Sequence, residues 1–77
     1  MPREPKTAEV LAEMVANVIK IVVEPGDRLE VGDPVVLLES MKMEIPVLTE
    51  QAGTVSAVTV SEGDVVQEGD VLVTLDL

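Results

Sequence analysis

An internal repeat constrains the fold of this 77-residue chain more than any other feature of its sequence. Shifting the sequence by 37 residues aligns the segment 18–39 with the segment 55–76, and eight of the aligned positions carry the same residue. A fixed period of this length indicates structural units that cannot bury their apolar faces alone. We therefore expect two equivalent halves that pack against each other in one small domain.

Both copies contain two Gly-Asp pairs that separate short runs rich in valine. Glycine tolerates a positive φ and aspartate accepts hydrogen bonds from nearby backbone, so these pairs indicate turns between strands. Pro25-Gly26 also fits the two central positions of a type II turn. Calcium loops need a denser run of oxygen ligands than these pairs supply. We expect the four aspartates to cap turns rather than hold a metal, namely Asp27, Asp33, Asp64 and Asp70.

The pattern predicts an all-β fold, because valine dominates both copies and no segment keeps a helical period with caps. Two small strand–turn–strand units would form a flattened barrel or sandwich with pseudo-twofold symmetry. We assign the segment Val10–Met14 to a strand, since a single helical turn there would have little to pack against. The polar residues 1–9 are expected to form a flexible tail, and residues 10–77 to form the folded domain.

The residue types that are missing exclude several classes of function. The chain has no cysteine and no histidine, so thiolate or imidazole metal sites and Ser-His or Cys-His nucleophile pairs cannot form. Its net charge of −10 and its lack of aromatic residues argue against binding to nucleic acid or to anionic membranes. No apolar run is long enough to span a bilayer. We expect a monomeric, cytoplasmic domain without a metal site or a catalytic residue.

A short linker at residues 40–43 joins the first copy to the second and contains Lys42 between two methionines. Turns normally favour Gly, Asn, Asp or Ser, and exposed methionines are costly. A turn lysine alone is usually just a solvated side chain, but methionine on both sides suggests a surface that another protein recognises. Because the equivalent position after the second copy is the C-terminus, we expect this linker to project opposite the termini.

The run Glu39-Ser40-Met41-Lys42-Met43 resembles the biotin-acceptor motif Glu-(Ala/Ser)-Met-Lys-Met of biotin carboxyl carrier proteins and related biotinyl domains. The repeated Gly-Asp frames on both sides are similar to those of biotinyl/lipoyl-attachment domains, and the resemblance covers residues 10–77. It implies two four-stranded antiparallel sheets without the protruding thumb of some carriers. It also implies that Lys42 carries covalent biotin and that biotin protein ligase recognises Met41 and Met43.

Two residues depart from the usual pattern of that family. Ser40 replaces a more common alanine in the motif, which leaves the motif nearly intact. Ala16 stands where many members have a glycine, and this chain keeps that glycine at Gly53 in the second copy. The second departure predicts a local difference between the two copies, far from Lys42.

The resemblance implies a carrier that performs no catalysis itself. Biotin on Lys42 would shuttle carboxyl groups between a biotin carboxylase and a carboxyltransferase, and a tether would keep it near both sites. A lipoyl carrier of the 2-oxo-acid dehydrogenase type is an alternative, although lipoyl domains usually place an acidic and a small residue around the lysine. A third possibility, from another class, is an unmodified interaction domain on the same scaffold.

Overall fold

The computed structural model describes residues 7–77, and this part of the chain forms eight β-strands. They form two four-stranded antiparallel sheets, so the predicted all-β fold is confirmed. None of residues 7–77 forms a helix that could cross a membrane. The strands are β1 (Thr7–Leu11), β2 (Ala16–Ile21), β3 (Arg28–Leu29), β4 (Pro34–Ser40), β5 (Met43–Leu48), β6 (Gly53–Val58), β7 (Val65–Val66) and β8 (Val71–Asp76).

The 37-residue repeat relates one sheet to the other, strand by strand. Adding 37 to the residue numbers converts β2 into β6, β3 into β7 and β4 into β8, and it places β1 over β5. The order β1-β8-β6-β3 in one sheet therefore corresponds to the order β5-β4-β2-β7 in the other. Register shifts between β2 and β4 recur at equivalent positions between β6 and β8. The predicted pseudo-twofold symmetry thus extends to the irregularities of the sheets.

The core between the sheets is aliphatic, and most of its members come in pairs from the two copies. Neither sheet could keep this apolar surface away from water alone, so each half stabilises the other. Five pairs of buried residues lie 37 positions apart, namely Val18 and Val55, Leu29 and Val66, Val35 and Leu72, Val36 and Val73, and Leu38 and Leu75.

Four turns of the same design connect the strands, at residues 24–27, 30–33, 61–64 and 67–70. Each contains a glycine with a φ between 90° and 98°, followed by an aspartate. The Oδ2 atom of each aspartate accepts a hydrogen bond of 2.8–3.0 Å from the backbone N–H three residues earlier. The prediction that the aspartates cap turns is therefore confirmed.

The same turns also link the two copies through backbone hydrogen bonds. The N–H of Gly26 donates to the carbonyl oxygen of Val55 at 2.8 Å, and the N–H of Gly63 donates to that of Val18 at 2.7 Å. A turn from each copy thus satisfies a strand of the other copy, where a buried polar group without a partner would be costly. These bonds fix the relative position of the two sheets.

The first strand differs from the prediction. It covers Thr7–Leu11 rather than Val10–Met14, so it begins three residues inside the segment predicted to be a flexible tail. The remainder of that predicted tail, residues 1–6, lies outside the described residues. Pairing with β8 sets these limits, because it extends to Asp76 at one end. At the other end, the backbone of Ala12 bonds instead to the turn between β7 and β8.

The two copies differ at the first residue of two equivalent strands, β2 and β6. Ala16 begins β2 and its side chain is buried, whereas Gly53 begins β6. A Cβ atom at Gly53 would lie 2.6 Å from the backbone carbonyl oxygen of Asp76. The difference between the copies is thus one of backbone spacing, since the end of β8 leaves no room for a side chain at Gly53. The prediction that this difference lies far from Lys42 is wrong, because Asn17, the residue after Ala16, pairs with Glu39 at the base of the hairpin.

Candidate functional site

Met41 and Lys42 form the two-residue turn between β4 and β5, and Ser40 pairs with Met43 across it. The φ angle is 52° at Met41 and 65° at Lys42, and no other non-glycine residue in the range 7–77 has a positive φ. Positive φ at both central positions is the pattern of a type I′ turn, whose twist matches that of the flanking strands. The hairpin therefore holds both residues in a conformation that L-amino acids rarely adopt.

The side chains of this turn extend into solvent. Met41 is 92% exposed and Met43 is 64% exposed, and Lys42 is also exposed. Methionine stabilises a fold mainly when it is removed from water, so these two residues contribute little to the core. Two large apolar side chains and one amine are thus available at the tip of the hairpin.

The turn lies at the end of the molecule opposite the paired ends of the described chain. Beside the turn, Glu39 in β4 pairs with Asn17 at the start of β2. Strand β2 then runs away from the turn, and the chain continues to Arg28, which pairs with Thr54. Thr54 in turn pairs with Asp76, next to the start of β1. This path agrees with the predicted placement of the linker.

Two carboxylates stand at the base of the hairpin. Glu39 and Glu44 pair directly across β4 and β5, so their side chains lie on the same face of the sheet. Like charges in this position destabilise a strand pair. Lys42, one of three cationic residues in the range 7–77, lies between them in sequence. The positive φ angles and this carboxylate pair both reduce the stability of the hairpin, so folding alone does not account for these residues.

The structure brings the three predicted site residues together at the tip of one hairpin, with Met41 and Lys42 in the turn and Met43 at the start of β5. The positive φ angles were not predicted, because methionine and lysine are not residues that usually indicate such turns. A signal was available in the spacing, since a two-residue connection between antiparallel strands favours turns with positive φ.

We expect Lys42→Gly to stabilise the domain by about 1 kcal/mol, because glycine adopts a positive φ without a steric cost. The control Met43→Gly should destabilise it by about 0.5–1 kcal/mol, since glycine in a strand only adds conformational freedom. The chain has no aromatic residue, so urea unfolding followed by far-UV circular dichroism is the appropriate measurement. A Lys42→Gly variant less stable than the wild type would contradict strain at this turn.

Comparison with known proteins identifies a family and several relatives that this chain resembles. A family model described as "Biotin-requiring enzyme" matches residues 3–75. The chain is 60% identical over 53 residues to the biotinylated protein TB7.3 homolog of Mycobacterium leprae, which covers 69% of this chain and 75% of that protein. It is 48% identical over 53 residues to the biotin/lipoyl attachment protein of Bacillus subtilis, with 69% and 73% coverage. This chain covers between 56% and 75% of the length of the mycobacterial relatives that it matches.

A solved structure extends the likeness to nearly the whole fold. A single-chain, multi-domain long-chain acyl-CoA carboxylase contains a region that superimposes with a TM-score of 0.86 and 26% sequence identity. The match covers 99% of this chain but only 8% of the carboxylase. Since the family model covers nearly all of the sequence, this chain belongs to the biotinyl/lipoyl-attachment family of biotin-requiring enzymes.

Proposed function

We propose that this chain is the biotin carboxyl carrier domain of a biotin-dependent carboxylase and that biotin is attached to Lys42. The observation that carries the proposal is an exposed lysine at the tip of a hairpin whose two turn residues have positive φ. Membership of a biotin-requiring family and the likeness to part of an acyl-CoA carboxylase support it. The carrier role, rather than catalysis, accords with a chain that has no cysteine and no histidine.

The residues of the turn fit a group linked through an amide bond. A lysine on a two-residue turn can enter the active site of another protein. A lysine within a strand, such as Lys20 in β2, cannot do so because neighbouring strands flank it. A lysine amine is protonated at neutral pH, so it must lose a proton inside the partner's site before it reacts. The Nζ of Lys42 would then displace AMP from the biotinyl-adenylate held by biotin protein ligase and form the amide.

When bound, biotin supplies a ring nitrogen that accepts a carboxyl group and later releases it. The residues of this chain would perform neither reaction. Strands β4 and β5 would hold the turn, and the long side chain of Lys42 would place the group in a biotin carboxylase and then in a carboxyltransferase. A carrier tethered to both enzymes raises the local concentration of the group at each site. Cytoplasmic location and a monomeric state stay predictions.

Intact-mass measurement after co-expression with a biotin protein ligase tests the proposal. We expect one added biotinyl group per chain, and peptide mapping should place it on Lys42. A chain that gains no biotinyl group, or gains it elsewhere, would show that the proposal is wrong.

A second candidate function is favoured by one comparison. The Bacillus subtilis relative is named a biotin/lipoyl attachment protein, so a lipoyl group on the same lysine is the alternative. Co-expression with a lipoyl ligase in place of the biotin ligase discriminates between them, because the two groups add different masses. A lipoyl group as the sole modification would favour the alternative.

We expect Met41→Ser and Met43→Ser each to slow biotinylation by about tenfold, if each methionine contributes about 1.4 kcal/mol to recognition by the ligase. Both side chains are exposed, so the thermal stability of the domain should not change. The measurement is the initial rate of biotin transfer with purified ligase at subsaturating concentrations of the carrier.

Val31→Ser is a matched control for this experiment. Val31 is 67% exposed, which is close to the exposure of Met43. It lies away from the lysine-bearing turn, because the N–H of the adjacent Gly32 donates to the carbonyl oxygen of Thr49, which follows the last residue of β5. We expect normal biotinylation of this variant. Equal rates for all three serine variants, or a large loss of stability in the methionine variants, would contradict the recognition role.

A further inference from the structure

A groove runs along β5, which is the edge strand of its sheet. It has a volume of about 430 Å³, and its walls are mostly aliphatic. Ile45 and Val47 line it from β5, Leu38 lines it from β4, and Met14 lines it from the segment between β1 and β2. The attachment of biotin at Lys42 does not by itself require such a groove.

An apolar track leads from the turn into this groove. Side chains alternate between the two faces of a strand, so Met43, Ile45 and Val47 share one face of β5. Met43 is largely exposed beside Lys42, whereas Ile45 and Val47 are partly buried. The groove therefore begins at Ile45, three residues after the lysine, on the strand that follows the turn.

A biotinylated lysine is long enough to enter the groove. About ten bonds separate the Cα atom of such a residue from the bicyclic ring of biotin, which gives an extended length of roughly 13 Å. Ile45 follows Lys42 by three residues, a distance of at most about 10 Å along a strand. Leu38 pairs with Ile45 and so lies at the same level of the hairpin. The ring can reach the near part of the groove.

The chemistry of the groove also matches that of biotin. The methylene chain and the thioether ring are apolar, as are the walls, and the ureido group has two N–H donors. Glu13 also lines the groove, next to Met14, and offers carboxylate oxygens as acceptors. The volume falls within the range of small-molecule sites, about 300–1,000 Å³. We propose that this groove is a resting site for the biotinylated side chain of Lys42, an inference that rests on the proposed function.

The biotinylated side chain would occupy the resting site when it is not bound to a partner enzyme. The arm would lie along β5 and cover Ile45, which is otherwise in contact with water. A partner enzyme would have to draw the arm out of the groove, so the docked state must be weak enough to open readily. We therefore expect the biotinylated side chain to exchange between a state docked in the groove and a state exposed to solvent.

The methionine methyl groups provide a direct test, because the chain has only four methionines. Met14 lines the groove, whereas Met41 and Met43 flank the lysine. The chain is labelled with ¹³C-methyl methionine, biotinylated, and checked for complete modification by intact mass. We expect NOEs from the Met14 methyl group to the ring protons of biotin. Shifts of the Met41 and Met43 methyl resonances serve as the internal control for modification.

Two aspartate variants complete the test. Ile45→Asp places a charge within the groove, and we expect the Met14 NOEs to be lost. Val65→Asp changes a residue that is 66% exposed on β7, outside the groove, and should keep them. Far-UV circular dichroism verifies that both variants are folded. A fully biotinylated wild-type chain without Met14 NOEs would overturn the inference but leave the proposed function intact. A chain that takes up no biotin would overturn both.

Discussion

We expect a Lys42→Arg chain to take up no biotin when it is co-expressed with a biotin protein ligase, so that its intact mass equals that of the unmodified chain. Arginine keeps the positive charge and the length of the side chain, and it should leave the hairpin folded. Its guanidinium group stays protonated at all relevant pH values and is not a nucleophile towards an activated acyl group. The variant thus removes the reacting atom and changes little else.

Lys20→Arg is the matched control for this loss. Lys20 is also exposed and lies within β2, so its amine is flanked by neighbouring strands rather than held at a tip. We expect the control to be biotinylated at the rate of the wild type. Biotin retained by the Lys42→Arg chain would show that another amine is the acceptor and would remove the basis of the proposed function.

The second large effect concerns Gly53, where we expect replacement by alanine to destabilise the domain by about 1–3 kcal/mol. The new Cβ atom would meet the carbonyl oxygen of Asp76 at 2.6 Å, and that oxygen belongs to backbone rather than to a movable side chain. Asp76 is paired with Thr7 on one side and with Thr54 on the other. Relief of the clash would therefore disturb two strand pairs. Urea unfolding followed by far-UV circular dichroism measures the loss.

The equivalent position in the first copy provides the control. Ala16 is already accommodated there, so Ala16→Gly creates no clash and should cost about 1–2 kcal/mol, through added conformational freedom and the loss of a buried methyl group. Exchanging glycine and alanine thus destabilises the domain for different reasons at two positions related by the repeat. A Gly53→Ala variant as stable as the wild type would show that the end of β8 moves aside without loss.

The sequence was sufficient to predict most of the fold because the repeat encodes it locally. Each Gly-Asp pair produces a turn by itself, through a glycine with positive φ and an aspartate that caps its own backbone. The valine-rich runs between the turns then have one arrangement in which both copies bury their apolar faces. The limits of β1 could not be predicted in this way. Thr7–Glu9 is polar, and only its pairing with β8 makes it a strand.

The site was predictable in position but not in conformation. The motif around Lys42 and its place between the copies predicted an exposed turn at residues 40–43. The positive φ angles at Met41 and Lys42 arise from closure of the hairpin over two residues, which overrides the local preference of both side chains. The clash that excludes a side chain at Gly53 is likewise a tertiary contact, since it depends on where the distant end of β8 lies.

The pairing of Thr7 with Asp76 is the counterpart, at the far end of the molecule, of the pairing of Glu44 with Glu39. The described chain is therefore close to a closed ring. A circular permutant that is opened between Met41 and Lys42, and joined from Asp76 to Thr7 by a two-residue link, would keep all eight strands and their pairing. In this topological sense the lysine-bearing turn is one of two interchangeable closures of the ring. The strand pairing does not require particular residues in this turn, so the turn can contain the residues that attachment to Lys42 requires even where they reduce stability.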